Sequence, residues 1–160
     1  MLHPVQPCLD AAHSSEVLFS PEDNIDSRIV ALVQSDKRSI DMCVFTRTND
    51  RTADSLLHTY GRGISIHFNK NDDKSYDLEA DLPRVAAAGI STCTSHGIGH
   101  MHHTFAIFDR SLLLNGSYNW TRGAQDRNCE HVVLCREKTL LDQFAAYFDR
   151  RWFLLGGQTL

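Results

Sequence analysis

The sequence predicts an α/β fold in which helices sandwich one mixed β-sheet within a single domain. Three observations carry that expectation. Short apolar runs of strand length alternate along the chain with segments whose apolar residues recur about every 3.6 positions. The junctions between them hold glycines or helix-capping residues. A chain of 160 residues with 42% hydrophobic content can bury one real core, so a single compact domain is expected rather than two.

Residues 1–17 show no period and are expected to be irregular, with the domain over 18–155 and a short tail at 156–160. Ser20-Pro21-Glu22-Asp23 reads as a helix opening, with serine as cap, proline in the first turn and carboxylates at the positive dipole end. Ile25, Ile29, Leu32 and Val33 then keep a helical period to about Asp36. Residues 39–46 (SIDMCVFT) form an apolar run short enough to favour a buried strand. A helix is expected over 50–60, closed by Gly61 or Gly63, followed by a strand over 64–68. The polar run 69–75 reads as a solvated loop, and 78–88 as a helix that Pro83 begins or kinks. Gly89 ends that helix and 90–94 resumes strand character. Strands over 104–108 and 111–114 flank a turn at Asp109-Arg110, and another strand covers 130–135. The last element is a helix over 138–155, with Leu140, Leu141, Phe144, Ala145, Phe148 and Trp152 on one face.

The net charge of −4 argues against a generally basic coat for nucleic acid, although a local cluster can still hold phosphates. Arg47, Arg51, Arg62, Arg110, Arg122 and Arg127 are the candidates for such a cluster, and scattered solvated charges are the alternative. Five cysteines, Cys8, Cys43, Cys93, Cys129 and Cys135, make an odd number without CxxC spacing or a secretory leader. Reduced thiols are expected, in an intracellular and cytoplasmic setting, with Cys43 and Cys135 in the core. No run approaches the roughly 18 to 20 apolar residues of a membrane-spanning helix.

The chemistry concentrates in 101–121, MHHTFAIFDRSLLLNGSYNWT. His102, Asp109, Gly116, Ser117 and Asn119 stand at spacings that resemble the signature of the phospholipase D superfamily: His, any residue, Lys, four residues, Asp, six residues, Gly-Ser-any-Asn. Thr104 occupies the lysine position. The order of elements and the segments HGIGHMHHTFAIFD and GSYNWTRGA resemble the single-motif branch, which includes bacterial endonucleases and the mitochondrial cardiolipin hydrolase or Zucchini group. The resemblance implies a phospholipase D-like α/β fold over nearly the whole chain and a metal-independent phosphodiesterase that needs no cofactor. It also implies a homodimer in which His102 attacks phosphorus and the partner's His102 protonates the leaving oxygen. The substrate would be a phosphodiester in nucleic acid, favoured as single-stranded, or in a phospholipid such as cardiolipin. Mitochondrial association is implied by the resemblance only.

Within that resemblance Asp109 orients the site, or is simply a turn aspartate. Ser117 and Asn119 offer hydrogen bonds to phosphate oxygens, and Ser117 is equally suited to cap a short helix beginning near Asn119 or Trp120. Glu130 matches a carboxylate able to hold the ring of His102, or is an exposed strand-end charge. Trp120 and Phe105 read as core. At the lysine position Thr104 supplies one hydroxyl to a phosphate and no charge, so activity is expected to be low or absent. A natural inactive relative, a cation from elsewhere and a deliberate substitution are all compatible with it. His96, His100, His102 and His103 could alternatively gather zinc. The competing reading puts His96, His100 and His103 along the phosphate cleft, where protonation would add charge.

Overall fold

The computed structural model describes residues 15–44, 49–71, 82–95 and 101–157. In these, strands β1 (Ser15–Ser20), β2 (Ser39–Val44), β3 (Ser65–Asn71), β4 (Ser91–Ser95), β5 (Thr104–Phe108), β6 (Leu112–Gly116) and β7 (Glu130–Cys135) alternate with helices α1 (Ile25–Ser35), α2 (Asp50–Gly61), α3 (Leu82–Ala87), α4 (Arg122–Asp126) and α5 (Lys138–Leu154). The strands form one seven-stranded sheet in the order β1-β7-β6-β5-β2-β3-β4. The two strand–helix–strand units make β2, β3 and β4 parallel, whereas β5 runs antiparallel to β2 and the hairpin β5–β6 continues antiparallel into β7 and β1. The sheet is therefore mixed, as the sequence predicts.

Alternation along each strand supplies two apolar layers, one on each face of the sheet. Ile40, Met42 and Val44 of β2, Ala106 and Phe108 of β5, Leu112 and Leu114 of β6, and Val132 and Leu134 of β7 pack with Ile25, Ile29 and Val33 of α1 and Leu56 of α2. The other face, carrying Cys43, Phe105, Ile107 and Leu113, is covered by Leu141, Phe148 and Trp152 of α5. Trp120 and Phe105 are core, as expected from the sequence. Leu140 is not: it points outward at the start of α5, 38% exposed.

The N-terminal part of the chain differs from expectation. Residues 15–20 are not irregular or helical but form β1, which pairs with β7 over the whole of both strands. Ser20 consequently ends a strand, and its hydroxyl donates to the carbonyl of Ala124 at 3.0 Å. The cap of α1 is Asn24, whose side chain accepts from the N–H of Ser27 at 2.9 Å. Alternation in SEVLFS is weak, and pairing with a distant strand overrides the local capping signal. Asn69 to Asn71 likewise extend β3 rather than open a loop, with Asn69 only 1% exposed. Residues 72–81, including part of the helix expected over 78–88, lie outside the described residues, as does Cys8. Cys43, Cys93, Cys129 and Cys135 are free thiols. Burial pushes the Cys43 thiol up to about 12.

The candidate arginine cluster is largely absorbed by the scaffold. Arg110 forks onto Asp149 at 2.7 and 3.0 Å and lies 2.6 Å from Asp41. Asp41 is fully buried and also bonds the ring of His67 at 2.8 Å, so this set of charges ties α5 to the sheet. Arg62 donates to the carbonyl of Asp36, Arg51 pairs with Asp26 and Arg122 with Asp50. Arg47 lies outside the described residues, and Arg127 is exposed.

Candidate active site

The strand registers bring the motif residues to one end of the sheet. Val44 ends β2 opposite Thr104, which begins β5; Gly116 ends β6 beside Val132, and Ser20 ends β1 beside Glu130. His102, two residues before β5, is exposed at that end. Thr104 is 7% exposed and belongs to the face shared with Ala106 and Phe108, beneath the position of His102.

Gly116 makes the junction possible. A Cβ there would collide with the carbonyl oxygen of His131, so only glycine lets β6 approach β7 this closely. One residue further, the hydroxyl of Ser117 donates to Glu130 Oε2 at 2.5 Å and accepts from the backbone N–H of His131 at 3.2 Å. Asn128 donates to the other oxygen of Glu130 at 2.9 Å. The carboxylate of Glu130 is thus fixed at both oxygens, and Ser117 is part of that arrangement rather than a helix cap. The cap of α4 is Thr121, whose side chain accepts from the N–H of Ala124 at 3.1 Å.

The turn that follows is held from beneath. The backbone N–H of Asn49 donates to the carbonyl of Trp120 at 2.8 Å, while its side chain caps α2 at Thr52 and donates to Asp26 Oδ1 at 2.5 Å. Asp26 in turn receives Arg51, and its N–H donates to Gln125. Neither Asn49, Asp26 nor Gln125 was singled out from the sequence; the only local signal was Asn49 before a helical period, an ordinary cap. Within this turn the Oδ1 of Asn119 is buried with no hydrogen-bond partner, an acceptor left over where the motif amide sits. The phenol of Tyr118 is also buried without a partner, and burial raises its pKa.

Two of the residues singled out from the sequence, Asp109 and His103, are placed away from this end. Asp109 follows the far end of β5, roughly 17 Å along the strand from Thr104 at ~3.3 Å per residue. Its carboxylate accepts the backbone N–H groups of Lys37, Arg38 and Ser39, the last two at 2.7 and 3.1 Å. Asp109 and Arg110 both adopt left-handed backbone conformations, φ 50 and 53. An aspartate in this turn therefore fastens the β5–β6 hairpin to the start of β2; it is not beside the reacting end, where it was expected to orient the site. His103 faces the α5 side, bonded through Nε2 to the Tyr147 hydroxyl at 2.6 Å. Burial, with the charges of Arg151 and His102 contributing, lowers its pKa, so it does not add the charge that Thr104 lacks near neutral pH. His96 and His100 lie outside the described residues.

Chemically, the assembled end offers an exposed imidazole, a carboxylate fixed at both oxygens, a serine hydroxyl and an amide, without a lysine at position 104. Comparison with known proteins accords with this constellation. The family described as "Cardiolipin synthase, PLD-like domain" matches residues 29–152. A mitochondrial cardiolipin hydrolase of Chlamydomonas reinhardtii is 37% identical over 126 residues, 79% of this chain and 56% of that protein. The Danio rerio mitochondrial cardiolipin hydrolase is 30% identical over 127 residues, again 79% of this chain and 56% of the relative. This chain therefore spans little more than half the length of those relatives. Among solved structures, the phospholipase D family member Nuc from Salmonella typhimurium superposes with a TM-score of 0.79 at 24% identity, covering 92% of this chain and 99% of Nuc. NucT from Helicobacter pylori gives 0.79 at 16% identity over 88% of this chain and 96% of its own. At such identities the two structures establish the fold.

Proposed function

Because the chain belongs to the phospholipase D-like family matched over residues 29–152, we propose that it is a phosphodiesterase scaffold built around His102, with turnover reduced or abolished by Thr104. The observation that carries this reading is the Ser117–Glu130 pair, fixed by Gly116 at the end of the sheet where His102 is exposed. In the reaction Nε2 or Nδ1 of His102 attacks phosphorus, the P–O bond to the leaving oxygen breaks, and a proton passes to that oxygen. Water then attacks the phosphohistidine and frees the imidazole. Asn119 and Thr104 hydrogen-bond the phosphoryl oxygens, Ser117 joins them by turning its hydroxyl hydrogen from Glu130 to the phosphoryl group, and Glu130 holds the ring orientation. No metal or cofactor enters. The proton donor is the His102 of a second copy in a homodimer; exposed Val17, Phe19 and Val133 on the neighbouring β1–β7 strands offer an apolar surface for it.

The substrate we favour is single-stranded nucleic acid. A second reading, a phospholipid phosphodiester, is favoured by the relatives named cardiolipin hydrolases. A non-catalytic phosphate-binding module is the reading if the chain holds phosphodiesters without cleaving them. An intracellular setting, cytoplasmic or at the mitochondrion, accords with the free thiols and the relatives' names. The test is acid-quench trapping of labelled phosphohistidine with single-stranded DNA, RNA and cardiolipin, with His102→Ala as control. Label on His102 with one substrate class selects that class. Absence of label and product with all three, alongside measurable binding, selects the non-catalytic reading; absence of binding as well overturns the site.

A further inference from the structure

The C-terminal turn of α5 carries a surface that the proposed reaction does not use. Phe153 and Leu154 are 77% and 73% exposed, well above the other large apolar side chains among the described residues, the next being Phe19 at 52%. Arg150 precedes them by three and four positions, which puts all three on one face of the helix. Its guanidinium lies 5.5 Å from the Tyr147 ring. Arg151 follows on the flank, 6.0 Å from the same ring, donating to Ser95 Oγ at 2.9 Å while its Nε is buried without a partner. Arg28, Arg51, Arg84, Arg110 and Arg122 are all ion-paired with carboxylates. Among the described residues Arg150 and Arg151, like Arg38, Arg62, Arg127 and Arg136, have no carboxylate partner, and it is Arg150 and Arg151 that stand beside Phe153 and Leu154. In a protein of net charge −4, these uncompensated cations adjoin the most exposed apolar pair among the described residues.

We propose that this turn docks on an anionic lipid surface, with Phe153 and Leu154 entering the headgroup boundary and Arg150, backed by Arg151, meeting lipid phosphates. Two apolar side chains alone bind a bilayer weakly, and adjacent positive charge is the second signal that makes such contacts hold. Charge complementarity selects the occupant: a neutral protein partner has no use for unpaired guanidinium groups, and a nucleic acid has none for Phe153 and Leu154. Tyr147, against which both guanidinium groups lie, is itself bonded to His103 on the same face of the sheet. The inference stands apart from turnover, since binding is read without it.

The experiment is co-sedimentation of the full chain with vesicles of phosphatidylcholine alone or mixed with cardiolipin, with the melting temperature and sedimentation velocity of each variant measured in parallel. The mixed vesicles are expected to bind and the neutral ones not. Phe153→Ser with Leu154→Ser should weaken binding about 30-fold, and Arg150→Glu about tenfold with a smaller response to salt. Failure of the parent protein to bind mixed vesicles, or unchanged binding by folded variants, overturns the proposal. So does a dimer that dissociates in the apolar variant while vesicle binding persists, which makes the patch a contact between copies. An Arg150→Glu variant that loses an oligonucleotide but keeps vesicles assigns the cations to nucleic acid, and the proposal fails.

Discussion

Restoring a cation by Thr104→Lys should raise the rate of phosphodiester cleavage about 10² to 10³-fold. The register explains why the residue could act. Phe105 pairs with Asn115 and Gly116 with Val132, so position 104 stands opposite Gly116, at the end of the sheet where β7 begins with Glu130. Glu130 lies two residues before Val132 on the same face, and Asn119 holds a buried acceptor without a partner. A lysine rising from position 104 therefore meets acceptors already in place. An ammonium about 4 Å from a phosphoryl oxygen at an effective dielectric of ~20 gains ~4 kcal/mol. At about 1.4 kcal/mol per factor of ten that is close to a thousandfold, and desolvation of the ammonium at a position 7% exposed reduces it toward a hundredfold. The assay is single-turnover cleavage of single-stranded DNA, RNA and cardiolipin by the parent, Thr104→Lys and Thr104→Met. Equal rates for parent and Thr104→Lys, with both folded, refute the reasoning. So does an equal gain in Thr104→Met, which matches the bulk without the charge.

Three further outcomes follow from the geometry. Gly116→Ala should lower stability by about 3 kcal/mol or prevent folding, because the added methyl meets the His131 carbonyl and must part β6 from β7; Gly123→Ala, which meets only the Thr121 side chain at 3.9 Å, is the control by thermal melting. Asp109→Ala should cost about 1 to 3 kcal/mol by leaving backbone N–H groups of the Lys37–Ser39 turn without an acceptor, yet leave labelling of His102 per folded molecule unchanged; a selective loss of labelling would return Asp109 to the reacting site. Burial, reinforced by Asp109, raises the Asp36 carboxyl from 3.8 to about 8, so the folded protein holds a proton there that the unfolded chain has released. Its contribution to stability is full below about pH 4, declines as pH rises, and is lost once pH passes about 8. Asp36→Asn should therefore gain stability over the parent increasingly between those limits, by a few kcal/mol at most, as read from urea melts; a difference independent of pH would exclude the raised pKa.

The sequence by itself determined the class of fold, most elements and the spacing of the candidate site residues. Helical periods in α1, α2 and α5 and the apolar runs of β2, β5 and β7 are local consequences of burying one face, so they are legible without coordinates. The spacing of His102, Thr104, Gly116, Ser117 and Asn119 is equally local, because one hairpin carries all of it. Partners distant in sequence were not legible. The pairing of β1 with β7 converts a seeming helix opening into a strand, and contacts across the turn place the Asp109 carboxylate on the start of β2 instead of at the reacting end. Tertiary packing also turned His103 to Tyr147, committed Arg51, Arg110 and Arg122 to carboxylates, and set Asn49 and Asp26 under the motif turn. A backbone pattern fixes which face a side chain occupies; which charge or hydrogen-bond partner waits there depends on segments tens of residues away, and only the folded chain brings them together.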